Sequence, residues 1–166
     1  MIKGRKNEIL LMALFFCLTN VVFGQIQTKT DTILCHNKNI VIEYPTINKI
    51  NVVNYEEGYF KTINCVLDTS TITIHCGSML NLPLTDLTDK IICSEFMLGK
   101  EVRSIRGYYM TNKRKKYFRE DNYFKYDITI VYENVEETRL ICYEHFFNDI
   151  KIQGKKETKV SYPEKG

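Results

Sequence analysis

The chain has no tryptophan and only three prolines, eight glycines and three histidines in 166 residues. So little proline and glycine rules out a collagen-like or low-complexity chain. Each histidine lies near a cysteine, as Cys35-His36, His75-Cys76 and Cys142 with His145. Neighbours on a strand point to opposite faces, so neither adjacent pair can grip one metal ion. Cys142 and His145 can share a helix face, but two ligands do not close a tetrahedral site. There is no Cys-x-x-Cys, no glycine-rich phosphate loop, no Gly-x-Ser-x-Gly and no His-Glu-x-x-His. No carboxylates sit at a spacing suited to acid–base work. These absences predict a protein with no catalytic residues, no cofactor and no metal.

Long apolar runs are also scarce. The one such run, Ile9 to Leu18, is well short of the roughly 20 residues a spanning helix needs. It follows a basic segment, Lys3-Gly4-Arg5-Lys6, and precedes Val22-Phe23-Gly24, whose Val22 and Gly24 suit the narrow pockets of a signal peptidase. Basic, apolar and small residues in that order predict a cleavable secretory signal over residues 1–24. Its Phe-Gly-Gln ending resembles signal peptides common among Bacteroidota. Phe16 is too bulky before Cys17 for lipoprotein processing. The expected organisation is a signal peptide (1–24), one domain (25–152) and a polar, Lys-rich tail (153–166). The expected location is periplasmic or secreted, with no membrane span after cleavage.

What is abundant points to a folded, strand-rich domain: 44% hydrophobic residues, with eleven tyrosines and nine phenylalanines. Strands are expected over Asn39–Tyr44, Ile50–Val53, Tyr59–Leu67, Thr71–Cys76, Arg103–Met110, Lys115–Phe118, Phe124–Glu133 and Ile150–Ile152. Asp68-Thr69-Ser70 supplies turn chemistry between the third and fourth of these. Helices are expected over Thr85–Leu98, where Ile91–Met97 also reads as a strand, and over Glu136–Asn148. The predicted class is α+β: an antiparallel sheet with about two helices on one face. Cleavage of the signal leaves five cysteines, an odd number, in a compartment that favours disulfides. Cys65 and Cys76 share the inward face of the hairpin and are the expected pair.

Charge is unevenly placed. The signal carries Lys3, Arg5 and Lys6 against Glu8, which leaves the remainder at +1 of the whole chain's +3. Residues 100–119 are strongly basic, and residues 120–149 strongly acidic. One reading has the basic hairpin and the acidic stretch neutralising each other across the sheet. A second makes an interaction face from Arg103, Arg106, Tyr108, Tyr109, Lys113, Arg114, Lys115, Lys116, Tyr117 and Arg119, since arginine and aromatics anchor interfaces. A third, an anionic ligand such as nucleic acid, suits the sequence but not an exported protein. The expected function is non-enzymatic binding of another protein, with an immunity-type inhibitor of a delivered toxin as its specific form. The alternatives are an accessory subunit of a cell-envelope assembly and, weakest, a small hydrolase.

Overall fold

The computed structural model describes residues 27–77, 83–99 and 101–154. The expected signal peptide, Lys100 and all of the expected tail beyond Gly154 lie outside the described residues. Of the described residues, 64% are strand and 12% helical. This overturns the expected α+β class with two helices. The fold is mostly β and sandwich-like, and the described residues form ten strands in two antiparallel sheets and one α-helix.

The small sheet runs β1-β2-β10, with β1 Thr28–Cys35, β2 Lys38–Pro45 and β10 Lys151–Gly154. The large sheet runs β3-β4-β5-β9-β8-β7-β6. Its strands are β3 Asn48–Tyr55, β4 Gly58–Cys65, β5 Thr71–Cys76, β6 Ile91–Leu98, β7 Val102–Thr111, β8 Arg114–Tyr123 and β9 Ile128–Val135. The helix α1, Glu137–Asn148, lies where Glu136–Asn148 was expected. It packs against β2 of one sheet and β8 and β9 of the other.

The other expected helix, Thr85–Leu98, is corrected to an irregular segment followed by β6. The helical spacing of Leu87 with Ile91 and of Ile92 with Phe96 was coincidental. Pairing with β7 along Ile91–Leu98, helped by the strand preference of Ile91, Ile92 and Phe96, wins over it. The expected strand Phe124–Glu133 begins only at Ile128, because Phe124–Tyr126 forms a 3-10 turn closed by Asp127 at φ 54°. Within β9 the alternation holds: Ile128, Ile130 and Tyr132 enter the core. Its other face is not wet as expected, since Thr129 and Val131 are also buried.

Turn chemistry positions the hairpins. Asn112 and Lys113, between β7 and β8, both have positive φ, at 49° and 63°. That is the signature of a two-residue turn whose twist matches the flanking strands. The expected Asp68 turn is present: the Asp68 carboxylate accepts from the Ser70 amide at 3.1 Å and from its hydroxyl at 2.5 Å.

The core lies between the sheets. Ile40, Ile42 and Tyr44 from β2 meet Ile63, Ile72, Ile74 and Ile130 from the large sheet, and Tyr143, Phe146 and Phe147 from α1. Strand β1 crosses over β4, where Lys61 pairs with Asp31 at 3.4 Å and the Tyr59 hydroxyl donates to the Leu34 carbonyl.

The expected Cys65–Cys76 disulfide is corrected. Cys76 faces Tyr59 across the β4–β5 ladder, six positions from Cys65. At about 3.4 Å per residue that is roughly 20 Å, against the ~7 Å limit for a disulfide. Cys76 instead bonds Cys35, with Cα atoms 5.6 Å apart, and so ties the end of β5 to the end of β1 in the other sheet. Cys65 is a buried free thiol, and Cys93 and Cys142 are also free.

Candidate functional site

The expected interaction face falls on the β7–β8 hairpin, and the pleat divides it. Arg106 and Tyr108 pair with Arg119 and Tyr117 on one face, where Tyr117 packs on the core and both arginines reach Glu144 of α1. Arg103, Tyr109 and Lys116 lie on the opposite face. Lys113, Arg114 and Lys115 are exposed at the turn. The ten residues therefore do not form one surface.

At the base of the hairpin a charge network replaces apolar packing. Arg106 and Arg119 are directly opposite each other, a like-charge pair that is unfavourable alone. Glu144 of α1 resolves it: one carboxylate oxygen accepts from Arg106 at 2.9 Å and from Arg119 at 2.8 Å. Its other oxygen accepts from the Tyr132 hydroxyl at 2.6 Å. Asp121 grips Arg119 in a fork, accepting from Nε at 2.9 Å and Nη2 at 2.8 Å, and takes the Ser104 hydroxyl at 2.6 Å. Asn148 accepts from Arg119 Nη1 at 2.8 Å.

Two arginines and two acids leave this cluster neutral. Arg119 is 1% exposed. Burial alone would pull its pKa down, but the hydrogen bonds and charges of Asp121 and Glu144 outweigh burial and raise it. Burial and the Glu144 hydrogen bond likewise push the Tyr132 phenol up. Arg119 therefore stays a cation and the Tyr132 phenol stays protonated. The network orients α1 on the sheet through Glu144 and Asn148.

The remaining basic residues separate by partner. Arg103 pairs with Glu95 at 2.7 Å, and buried Lys116 with Glu136 at 3.1 Å. Four of the seven cations on the expected face are thus neutralised within the chain, three of them by acids of the 120–149 stretch. Lys113, Arg114 and Lys115 have no acid partner among the described residues; Lys115 lies over the Tyr108 ring at 4.6 Å. Met110, on the same tip, is 55% exposed. Between the tip and the start of α1 is a shallow cavity of about 290 Å³, lined by Arg114, Lys115, Glu136, Glu137 and Thr138.

Two polar clusters escaped the sequence. On the outer face of the large sheet, His75, Thr129 and Asn122 occupy one cross-strand row, all buried. His75 Nε2 meets the Tyr55 hydroxyl at 2.5 Å, and Phe60 stacks on the ring at 4.5 Å. Burial first, and the charge of His36 second, lower the His75 pKa, so the ring is neutral. The second cluster latches α1 to the β4–β5 turn: Tyr143 contacts the Ser70 hydroxyl and donates to Asp68 at 3.1 Å. Burial raises the pKa of the adjacent Cys65 thiol, which makes it a poor nucleophile. Only the alternation of β5 and β9 pointed to the first cluster, and nothing local pointed to the second. No group of three or more His, Cys, Asp or Glu among the described residues is arranged to hold a metal ion.

No protein-family model, curated protein or solved structure matches this chain.

Proposed function

We propose that this chain is an exported binding protein that engages an acidic face of another protein with the tip of the β7–β8 hairpin. The observation that carries this is the division of the cations. Four are locked into ion pairs inside the fold, whereas Lys113, Arg114 and Lys115 project with no acid partner among the described residues, beside exposed Met110. A cationic, partly apolar knob on a rigid hairpin suits fast, electrostatically guided association. The Cys35–Cys76 disulfide fits an oxidising compartment, and no helix of the described residues is long and apolar enough to cross a membrane.

The specific form of the proposal is an immunity-type protein that occludes a toxin in the periplasm. The test is binding to the product of the adjacent gene, measured by calorimetry at low and high salt. The expected result is stoichiometric binding, weakened by salt and abolished in a Lys113→Glu, Arg114→Glu, Lys115→Glu variant that melts like the parent. Binding that survives the charge reversal sinks the assignment of the tip. Binding without inhibition of the partner's activity sinks the immunity form and favours an accessory subunit of an envelope assembly.

A further inference from the structure

Among the described residues, four strands form the edges of the two sheets: β1 and β10 in the small one, β3 and β6 in the large one. An edge strand presents unpaired amides and carbonyls, and folded proteins normally blunt it. Three of these edges are blunted. Strand β1 carries Lys29 and Asp31, β10 carries exposed Lys151, and β6 is interrupted by a bulge between Ile92 and Ser94. Strand β3 is different. All eight of its residues pair with β4 in unbroken register, and it contains no proline, no bulge and one charge, Lys49. Along it Ile50, Val52 and Val53 are 45%, 49% and 53% exposed.

We propose that β3 is a self-association strand on which a second copy of this chain pairs antiparallel, about a two-fold axis through Asn51. The pattern of β3 is self-complementary about that residue. On the face towards the small sheet the order is Asn48, Ile50, Val52, Asn54. The axis sets Ile50 opposite Val52 of the second copy, and Asn48 opposite Asn54 of the second copy. Ile50 and Val52 cover each other's branched, half-exposed side chains at the centre of the ladder, while the Asn48 amide already donates to the Pro45 and Thr46 carbonyls and marks its end.

On the other face Asn51 meets Asn51 of the second copy, and Lys49 meets Val53 of the second copy. The two Lys49 side chains are then about 14 Å apart along the strand, beyond the roughly 10 Å screening length at 0.1 M salt. No like charges oppose each other. A partner of unrelated sequence has no reason to match this symmetry, which is why a second copy is the occupant. The result is one continuous sheet running through both molecules. A single seven-residue ladder is small for a specific interface, below about 1,200 Å², so the dimer is concentration-dependent.

The test is sedimentation of the purified chain across a wide concentration range, with exposed Asn51 as the probe. The parent is expected to move from monomer to dimer. Asn51→Lys and Asn51→Asp each place like charges on the axis and are expected to weaken the dimer roughly tenfold. An equimolar mixture of the two variants, with opposite charges on the axis, is expected to restore it. Unfolding of each variant, followed by circular dichroism, is expected to match the parent. The proposal is overturned if the parent stays monomeric at every concentration, if both single variants dimerise like the parent, or if the mixture associates no better than its components. A monomeric parent that takes up an unrelated extended peptide on β3 also overturns it.

Discussion

Replacing Arg119 with Met removes one of four charges from a balanced cluster. What remains under α1 is Asp121, 1% exposed, with the Ser104 hydroxyl as its remaining side-chain partner. Breaking a buried ion pair by deleting one member costs about 3–5 kcal/mol, because the survivor is left charged and dry. In a domain of this size that is roughly 10 °C of melting temperature. Asp121→Leu strands the guanidinium instead, but Glu144 and Asn148 still hold it, so its cost is expected at the lower end of that range. The double variant, Arg119→Met with Asp121→Leu, strands neither group and fills the space with apolar atoms. Glu144 keeps Arg106 and Tyr132 in that variant. The double variant is therefore expected to cost less than Arg119→Met alone, with a coupling energy of about 2 kcal/mol or more. Urea unfolding followed by far-ultraviolet circular dichroism suits a chain without tryptophan. If Arg119→Met costs under about 1 kcal/mol, or if the double variant costs the sum of the two singles, the network is not what holds α1 to the sheet.

Three further outcomes are expected. The Cys35–Cys76 bond spans 41 residues, and replacing both cysteines with serine is expected to cost about 4 kcal/mol from loop-closure entropy; recovery of a Cys65–Cys76 peptide from a non-reduced digest would contradict the pairing. The His75 pKa is lowered in the fold, so the unfolded chain takes up a proton near pH 6.5 before the folded chain does. Stability is therefore full above about pH 6.5 and falls as the pH drops through the depressed folded value, by at most about 1.4 kcal/mol per pH unit; urea midpoints against pH should show this slope in the parent and not in His75→Phe. Gly107 lets β7 approach β6 closely, since a Cβ there would lie 2.1 Å from the Ile91 carbonyl oxygen. Gly107→Ala is expected to speed amide exchange along β6 selectively, and uniform protection in that variant would refute the close approach.

Legibility followed the range of the interactions. The alternations that became β2, β4, β5, β7 and β9 were readable because one face of each meets the core. The Asp68 turn was readable because it is made by local hydrogen bonds. Strand β1 was missed: Thr28–Thr32 is polar, and only Ile33 and Cys35 of its length are buried. The stretch Thr85–Leu98 misled because Leu87 with Ile91, and Ile92 with Phe96, satisfy helical spacing by chance, whereas the pairing that decides the matter lies with Val102–Tyr108. The disulfide was misassigned because facing inward is not enough; position along the ladder depends on a turn length the pattern does not reveal. At the candidate site, the clustering of cations was plain. Their division into paired and unpaired sets depends on Glu95, Glu136 and Glu144, which reach the hairpin only through the fold.

The small sheet carries a consequence for how the chain comes together in time. Its middle strand, β2, is flanked by the first described strand and the last. The β1–β2 hairpin can form as soon as those residues emerge, and Cys35 is then free to meet Cys76 once β5 follows. β2 keeps one bare edge until Lys151–Gly154 arrive. Completion of this sheet therefore waits on nearly the last described residues. A chain truncated before β10 would carry the disulfide, the core isoleucines and the charge network, yet expose an apolar strand edge of the kind that chaperones and proteases recognise.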